Sequence, residues 1–452
     1  MTAKREDFWA LALGLAAVAS KPLRARRRFA APPARDLQPG ISVVIPSREG
    51  RHLLEAMLGG VEADLAASGL DGEIIVVDNG SRDGTTEFLR QSHPRVRVEE
   101  HAEPLAFARA ANRGASLARY RRLCLLNNDM EVSPGFFAAL DRAFAEDPAL
   151  FCASAQIFFP AGARREETGK TALRRAEFLT PDDYPVFCDE PLEGEDSSPV
   201  LYGSGGCSLY DLEKFHALGG FDEFYQPAYV EDLDLGYRAW LRGWPSVYVA
   251  RARVLHRHRA TSSRYYSDAD LARLLEINFA RFLLRAVQSP AVFRRYYPHT
   301  LARLRRCRPG DLPLLTVARL VFAAAQREPV VGHLSEPEIL ALTGGGVRVF
   351  PGRGATRERR VLVSAGSCRT IMSAGSRRPC DSQLTELASG AAIHYLAYCR
   401  PRSLPEPGLL DLARAVILVD GPAGEVAYRA AQKEAQRRYS IEESVVIEKG
   451  GE

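Results

Sequence analysis

Short runs of β-branched residues alternate with longer helix-like segments in the early part of the chain. Strands are predicted at Ile41–Pro46, Glu73–Asp78, Arg95–Glu99 and Arg122–Leu126, and helices at Arg51–Ser68, Asp83–Gln91 and Pro104–Arg119. This alternation predicts a parallel sheet covered by helices. Ligands of such sheets bind beyond the carboxyl ends of the strands, so functional residues are expected just after Ile45, Val77 and Leu126.

The pattern changes after the fourth predicted strand. Residues 160–199 lose their periodicity and carry many charges, which predicts a surface insertion or flap. Helices are predicted over Ala269–Val287 and Leu312–Arg327, and several glycines predict a linker over Gly344–Gly354. The predicted units are an N-terminal segment with its linker (1–40), a large α/β domain (41–265), a helical extension (266–343), a linker (344–358) and a small α/β unit (359–452).

Composition narrows the class of protein. The chain has 452 residues, enough for two or three domains, and its 46% hydrophobic and 26% charged residues are typical of a soluble globular protein. A net charge of +4, spread along the chain, argues against a nucleic-acid partner. Eight cysteines without a Cys-x-x-Cys pair argue against a zinc site or disulfide framework and favour a reducing cytoplasm.

The N-terminal stretch Phe8–Ser20 is apolar but shorter than the roughly 20 residues that a membrane-spanning helix needs. Basic residues flank it, and the larger cluster follows it at Lys21, Arg24 and residues 26–28, which opposes export. Two interpretations stay open: a helix on an anionic membrane surface, or a plain docking helix or frayed terminus. We expect a cytoplasmic protein, which the first interpretation places at the inner face of the membrane.

The first two predicted strands end in polar turns. The turn Pro46–Gly50 lacks the Gly-x-Gly-x-x-Gly pattern of dinucleotide-binding enzymes, which counts against NAD chemistry. Asp78, at the tip of the second strand, is placed to accept a hydrogen bond from a base or a ribose hydroxyl, but an ordinary turn residue is equally consistent. Asp83 is interpreted as a helix N-cap.

The fourth predicted strand runs through apolar residues into Asn127, Asn128 and Asp129. A carboxylate in that position could hold a divalent ion that bridges a diphosphate, because Mg²⁺ and Mn²⁺ bind through one or two carboxylates while phosphates fill other positions. A turn residue is the alternative interpretation of Asp129.

Three acidic residues, Glu231, Asp232 and Asp234, crowd the start of a predicted helix. The helix dipole alone favours carboxylates there. Alternatively, Asp232 is a general base that takes the proton of an acceptor hydroxyl, with a pKa raised by burial beside another carboxylate. His256 follows a predicted strand and is interpreted either as a metal ligand or as a surface residue.

Taken together, these segments resemble the family 2 glycosyltransferases, which have the GT-A fold, and within them the rhamnosyltransferase-like branch. The matching segments, in order, are Ser42–Pro46, Ile75–Thr85, Asn112–Gly114 with Leu125–Asp129, Gly219–Asp222 with Glu231–Asp234, and Val254–His256. The resemblance implies a GT-A-like nucleotide-binding mixed sheet flanked by helices, in addition to the small C-terminal α/β unit.

The resemblance also implies roles for individual residues. By position, the nucleotide-sugar contacts are Pro46, Glu49, Asp78, Arg113 and Asn128, the metal contacts are Asn127, Asp129 and His256, and the acceptor contacts are Gly205, Gly206 and Glu231. Asp232 takes the position of the catalytic base in an inverting transfer that depends on Mn²⁺ or Mg²⁺. Asn127 departs from the first aspartate of the Asp-x-Asp motif, a change that is common in this branch.

The implied function is transfer of a sugar from a UDP- or dTDP-sugar to a glycan or lipid-linked acceptor in polysaccharide or cell-envelope biosynthesis. One alternative is a nucleotidyltransferase, although the Gly-rich basic loop typical of that class does not follow the first strand. Another is a non-catalytic scaffold that binds a glycan or a partner protein. Residues 359–452 resemble the opening of a GT-B domain and are predicted to be a non-catalytic remnant or docking module.

Overall fold

A computed structural model describes residues 3–24, 36–160, 168–180, 183–257, 267–307, 327–365 and 379–447. The arginines at 26–28 and the predicted helix Leu312–Arg327, apart from its last residue, lie outside this range. The strands before residue 260 are β1 Gln38–Ser47, β2 Gly72–Asn79, β3 Arg97–His101, β4 Tyr120–Leu126, β5 Met130–Val132, β6 Cys152–Phe158, β7 Thr171–Leu173, β8 Val186–Cys188, β9 Pro199–Val200, β10 Cys207–Asp211 and β11 Ser246–His256. The helices of this region are α1 Ala3–Ala19, α2 Arg51–Ala67, α3 Thr85–Ser92, α4 Phe107–Leu117, α5 Phe136–Glu146, α6 Leu212–Ala217 and α7 Glu231–Leu241.

Among the described residues, nine strands form one large sheet in the order β3-β2-β1-β4-β10-β6-β11-β5, with β9 paired to β11. The first four strands of that order are parallel, and β10 runs antiparallel to both β4 and β6. The predicted mixed sheet flanked by helices is thus confirmed. Since the order of connections reverses between β1 and β4, a ligand crevice is expected at their carboxyl ends.

The alternation of side chains along the central strands builds a core on each face of the sheet. Val43 and Ile45 of β1 face one hydrophobic cluster, which α2 and α5 cover. Val44 faces the opposite cluster, which α4, α6 and α7 cover. Close packing requires glycine at Gly114 of α4, where a Cβ atom would lie 2.2 Å from a methyl group of Val44. Helices thus fix both faces and leave the strand ends open.

The segment predicted as a surface insertion contains β7 and β8, which pair with each other in an antiparallel two-stranded sheet. Its described residues are largely buried: Lys170 is 1% exposed, Glu195 is 1% exposed and Ser198 is fully buried. The prediction of a surface insertion is therefore wrong for these residues. Their polar side chains pair with one another inside the protein, so a high charge content did not signal exposure.

The remaining elements form a helical region and a second sheet. They are α8 Asp268–Arg285, α9 Pro290–Cys307, α10 Glu336–Leu342, β12 Val347–Pro351, β13 Arg360–Ala365, α11 Pro379–Gly390, β14 Ala392–Cys399, α12 Pro407–Leu412, β15 Ala413–Asp420, α13 Gly424–Tyr439 and β16 Glu443–Ile447. In the described part, five strands are ordered β12-β15-β14-β13-β16, and all but β12 run parallel. Residues 344–358 were predicted as a linker, but β12 lies within them and pairs with β15, so that prediction is wrong there.

The N-terminal helix α1 packs against α9, where Gly14 leaves room for the rings of Phe293 and Tyr297. Just after α1, the side chain of Lys21 is 1% exposed and donates hydrogen bonds to the carbonyl oxygens of Arg285 and Val287. Lys21 therefore caps the end of α8 and is not part of a basic surface cluster. No helix in the described ranges is long and apolar enough to cross a membrane.

Candidate functional site

A cavity of about 500 Å³ opens at the carboxyl ends of β1 and β4. Most of the residues predicted for the site line it. They are Pro46, Asn127, Asn128, Asp129, Gly205, Gly206, Glu231, Asp232 and His256. The structure thus brings together side chains from β1, the loop after β4, the loop before β10, the start of α7 and the end of β11.

The predicted metal contacts lie together on one side of the cavity. Oδ1 of Asp129 is buried, makes no hydrogen bond and lies 3.4 Å from Nε2 of His256. These residues meet because β11 and β5 pair antiparallel with His256 opposite Met130. The amide of Asn127 packs against Gly206, where a Cβ atom would lie 2.2 Å from its Nδ2 atom.

This donor set determines which ion would fit. Among the residues that the structure describes, no three His, Cys, Asp or Glu side chains gather around one point. One carboxylate, one imidazole and one amide would leave coordination positions for phosphate oxygens, an arrangement that suits Mg²⁺ or Mn²⁺ better than an ion held by protein ligands alone. The buried Oδ1 atom of Asp129, which lacks a hydrogen bond, fits such an ion.

The start of α7 forms another part of the cavity lining. Tyr229 and Val230, just before the helix, have φ angles of 72° and 79°. A positive φ is uncommon for any residue other than glycine, and it is a genuine outlier for the β-branched Val230. Asn278 of α8 is fully buried, and its side-chain amide donates to the carbonyl oxygens of Tyr225, Ala228 and Tyr229. The strained turn is therefore held from α8, and it directs the first residues of α7 into the cavity.

The two carboxyl groups at this helix start differ in their environment. Burial raises the pKa of Asp232 to about 6, while hydrogen bonds from the backbone N–H groups of Gly205 (3.2 Å) and Leu233 (2.8 Å) oppose that shift. Burial, and then the charge of Asp232, raises the pKa of Glu231 well above its ordinary value. Burial therefore disfavours ionisation of both carboxyl groups, and the charge of Asp232 adds to that effect only at Glu231.

Asp234, the third acidic residue of this cluster, points into the protein interior. Its carboxylate accepts hydrogen bonds from Arg238 at 2.7 Å and from the hydroxyl of Tyr225 at 2.9 Å, and Arg285 lies 3.6 Å away. All of these groups are buried, and burial raises the pKa of Asp234 to about 6. Asp234 thus has a structural role, which the sequence pattern alone could not separate from that of its neighbours.

Three predicted donor contacts, Glu49, Asp78 and Arg113, lie outside the cavity lining. The carboxylate of Asp78 accepts hydrogen bonds from the N–H of Ser81 and the hydroxyl of Thr86. The carboxylate of Glu49 accepts a hydrogen bond from the backbone N–H of Arg82, and Arg113 forms an ion pair with Glu99 at 2.6 Å. Glu49 and Asp78 therefore shape the loops that follow β1 and β2.

Several residues of the cavity wall were not predicted from the sequence. They include Arg48, Asn79, Tyr184, Val186, Phe187, Cys188, Leu271 and Leu275. Arg48 and Asn79 adjoin predicted strand ends, so the strand-end rule could have found them. The others come from β8, from the chain just before it and from α8, where neither motif nor periodicity indicates a ligand.

Residues 42–219 match the model of the family described as Glycosyl transferase family 2. Over 212 residues the chain is 32% identical to N-acetylglucosaminyl-diphospho-decaprenol L-rhamnosyltransferase of Mycobacterium tuberculosis, covering 42% of this chain and 67% of that protein. The O-antigen biosynthesis protein RfbC of Myxococcus xanthus is 27% identical over 232 residues, 50% of this chain and 18% of that protein.

Among solved structures, GalNAc-T7 with UDP, GalNAc and Mn²⁺ aligns over 65% of this chain and 56% of its own, with 18% identity and a TM-score of 0.45. The matched family region includes the strand ends that carry Pro46 and Asp129, and it ends before α7. The sequence match, together with a cavity built where the family motifs lie, shows that this chain is a glycosyltransferase that belongs to family 2 and resembles its rhamnosyltransferase-like branch.

Proposed function

We propose that this protein transfers a sugar from a nucleotide-activated donor to an acceptor hydroxyl, with Asp232 as the general base. The observation that carries the proposal is that one cavity holds both the Asp129 and His256 pair and an aspartate with a pKa raised to about 6. A general base works best when its pKa lies near the operating pH, because it is then ionised and still basic.

Asp232 suits this role better than its neighbour. Glu231 is 5% exposed, and burial together with the charge of Asp232 raises its pKa well above the ordinary value, which disfavours the ionised form that a base needs. Asp232 is ionised above about pH 6, and the N–H of Gly205 fixes one of its oxygens. A base and a diphosphate site in one cavity fit a single displacement, which inverts the configuration at the anomeric carbon.

We assign the diphosphate side to Asn127, Asp129 and His256, which would hold Mn²⁺ or Mg²⁺. When bound, such an ion neutralises the charge that develops on the departing diphosphate. The side chains of Asp129 and His256 are both less than 10% exposed, so their positions are fixed by the surrounding protein. Pro46 and Asn128 line the adjoining wall, and the side-chain amide of Asn128 donates to the hydroxyl of Ser47 at 2.9 Å.

The nucleoside is proposed to extend from this wall towards the loops after β1 and β2. Glu49 and Asp78 shape those loops, and Arg113 lies farther out, on α4, beside β3. The acceptor is proposed to enter beside Gly205 and Gly206, which line the cavity next to Asp232 and Asn127. Since the mycobacterial relative is named for rhamnosyl transfer to a lipid diphosphate-linked sugar, we propose dTDP-L-rhamnose or a UDP-sugar as donor and a lipid-linked glycan of the cell envelope as acceptor.

A lipid-linked acceptor would bring the protein to a membrane, and α1 offers a surface for that contact. Phe8 is 62% exposed, Trp9 is 50% exposed and Leu23, just beyond the helix, is 90% exposed. Ala16 and Ala19 between them are also exposed, so the outward face is apolar from Phe8 onwards. An exposed apolar stretch of this kind is normally covered, and the basic residues that flank it in the sequence, Lys4 and Arg5 before it and Arg24 after it, favour an anionic lipid surface as the cover. We therefore propose peripheral association at the cytoplasmic face of the membrane.

Release of nucleoside diphosphate from a panel of UDP-, dTDP- and GDP-sugars tests the proposed donor chemistry. The panel is measured with Mn²⁺ or Mg²⁺ and again with a chelator, using farnesyl-diphospho-N-acetylglucosamine as the acceptor. We expect metal-dependent release that is confined to one donor. Neither release nor binding for any donor would favour a non-catalytic scaffold.

A further inference from the structure

The two-stranded sheet β7–β8 forms a wall of the active-site cavity. Val186, Phe187 and Cys188 of β8 line the cavity, and so does Tyr184 just before them. Tyr184 and the proposed base Asp232 line the same cavity, and the hydroxyl of Tyr184 donates to the carbonyl of Leu275 at 3.4 Å. The backbone N–H of Leu201 donates to the carbonyl of Thr171 in β7 at 3.1 Å, and the chain runs from Leu201 into the loop with Gly205 and Gly206, so this wall adjoins the proposed acceptor loop.

A cluster of buried charges lies at one end of this wall. Lys170 immediately precedes β7, Asp189 immediately follows β8, and the strand residues next to them pair across the small sheet. The ammonium group of Lys170 lies 3.1 Å from Asp189 and 2.5 Å from Glu195. The ends of both strands are therefore tied together one residue away from Cys188, which lines the cavity.

The second cation of this cluster comes from the C-terminal sheet. Arg348 of β12 is 3% exposed, and its guanidinium lies 3.1 Å from Asp189 and 3.2 Å from Glu195. Asp420, at the end of β15, lies 3.7 Å from the same group. Both cations of the cluster, Lys170 and Arg348, therefore have carboxylate partners, which offset the cost of burying their charge. Arg348 belongs to β12, whereas Asp189 follows β8.

Backbone contacts join the same two regions. The N–H of Asp196 donates to the carbonyl of Val349, whose own N–H donates to the hydroxyl of Ser198 at 2.9 Å. The guanidinium of Arg438 donates to the carbonyl of Ser197 at 2.8 Å. The C-terminal sheet is therefore joined to the wall segment by an extended set of contacts, and Arg348 is its buried charged link.

We propose that the C-terminal unit sets the acceptor wall of the active site, and that Arg348 is the positioning residue through which it does so. This inference rests on the proposed transferase function. Arg348 and Lys170 hold the carboxylate of Asp189, and Asp189 fixes the end of β8 whose side chains line the cavity. The C-terminal sheet, to which Arg348 belongs through the pairing of β12 with β15, thereby gains a role in acceptor binding without touching the reacting atoms.

The first test compares Arg348→Met and Arg348→Lys with the matched control Arg353→Met, which breaks an exposed ion pair of the same unit with Asp411. Transfer from dTDP-L-rhamnose to farnesyl-diphospho-N-acetylglucosamine is measured while each substrate is varied in turn. We expect Arg348→Met to raise KM for the acceptor by at least about tenfold, with KM for the donor and the rate of donor hydrolysis within about twofold of wild type. Arg348→Lys should restore part of the loss, and Arg353→Met should behave as wild type.

Hydrogen exchange without substrates provides a readout that does not depend on activity. Faster exchange confined to the amides of β7 and β8 supports the proposal, whereas unchanged exchange, or equal changes in KM for both substrates, overturns it. If Arg348→Met does not fold, Asp189→Asn takes its place with the same expected results. Absence of transfer by the wild type would count against the proposed function alone, because the exchange measurement would still decide whether Arg348 holds the wall.

Discussion

Oδ1 of Asp129 and Nε2 of His256 lie 3.4 Å apart, although one residue follows β4 and the other ends β11. Antiparallel pairing of β5 with β11 brings them together, and both side chains are less than 10% exposed. Two candidate ligands held in this way need little rearrangement to take up an ion, so their separate contributions can be tested by removing one at a time.

Removal of the imidazole should weaken metal binding. We expect His256→Ala to reduce Mn²⁺ affinity, measured by calorimetry with the nucleoside diphosphate present, by at least about tenfold. His93→Ala is the matched control, because His93 pairs with Glu62 and lies outside the cavity lining. Equal Mn²⁺ affinities for wild type and His256→Ala would remove His256 from the proposed ligand set.

The pH dependence of turnover follows from the raised pKa of Asp232. Below about pH 6 its carboxyl group is protonated and cannot accept the proton of the acceptor hydroxyl, so kcat/KM should fall as the pH drops through that value. The cause is burial, which the backbone hydrogen bonds offset only in part. A profile of kcat/KM that stays flat between pH 5 and 7 would argue against Asp232 as the base.

Burial of ionised carboxylates also costs stability. A carboxyl group whose folded pKa lies above its unfolded pKa stabilises the fold only at low pH, and that contribution is lost as the pH rises through the folded value. Asp232→Asn should therefore unfold at a temperature equal to or above that of wild type at pH 8, with a smaller difference at pH 4. A clear loss of thermal stability at pH 8 would show that Asp232 supports the fold.

Asp234 should give the opposite result, although it lies only two residues farther along the same helix. Its carboxylate is fully buried against Arg238, so Asp234→Asn leaves a buried guanidinium without its charge partner. Breaking a buried pair costs about 3–5 kcal/mol, which should appear as a lower free energy of unfolding in urea. An unchanged urea midpoint would contradict the structural role assigned to Asp234.

The exposed face of α1 predicts binding to anionic vesicles. Combined Phe8→Ser, Trp9→Ser and Leu23→Ser substitutions should reduce co-sedimentation with phosphatidylglycerol vesicles by at least about tenfold, because each exposed apolar side chain contributes on the order of 1 kcal/mol or more when covered by lipid. Leu404→Ser, at an exposed leucine of the C-terminal unit, is the control. Self-association that the triple substitution abolishes, without vesicle binding, would identify a second copy of the chain as the partner.

The sequence predicted the residues of the functional site best where they follow a recognisable strand and have side chains suited to binding a ligand. Strand ends in a parallel sheet converge on one edge, so the position of Asp129 after β4 predicted where it lies, but the family resemblance was needed to favour a site residue over a turn residue. Asp234 and Asp232 share one helix turn and one residue type, and only the packing of Arg238 and Tyr225 separates their roles. The wall formed by Tyr184 and Cys188 depends on contacts with the distant C-terminal sheet, which no local pattern encodes.

Strand β12 and Lys21 are two further cases in which the sequence predicted the wrong environment. The glycines around β12 predicted a linker, but the strand between them pairs with β15 and contributes Arg348 to a buried cluster. Lys21 was counted with the basic residues at the surface, yet tertiary packing buries it at the end of α8 and lowers its pKa to about 7. In both cases the partners lie far away in the sequence, so composition alone gave the wrong environment.

The most direct test of the central claim is transfer of the sugar itself by wild type and by Asp232→Asn, detected by mass spectrometry of the acceptor product with Mn²⁺ present. The account predicts that wild type forms the product and that Asp232→Asn reduces kcat by about 10²–10⁴-fold while donor binding is unchanged. Product formation by Asp232→Asn at the wild-type rate would contradict it.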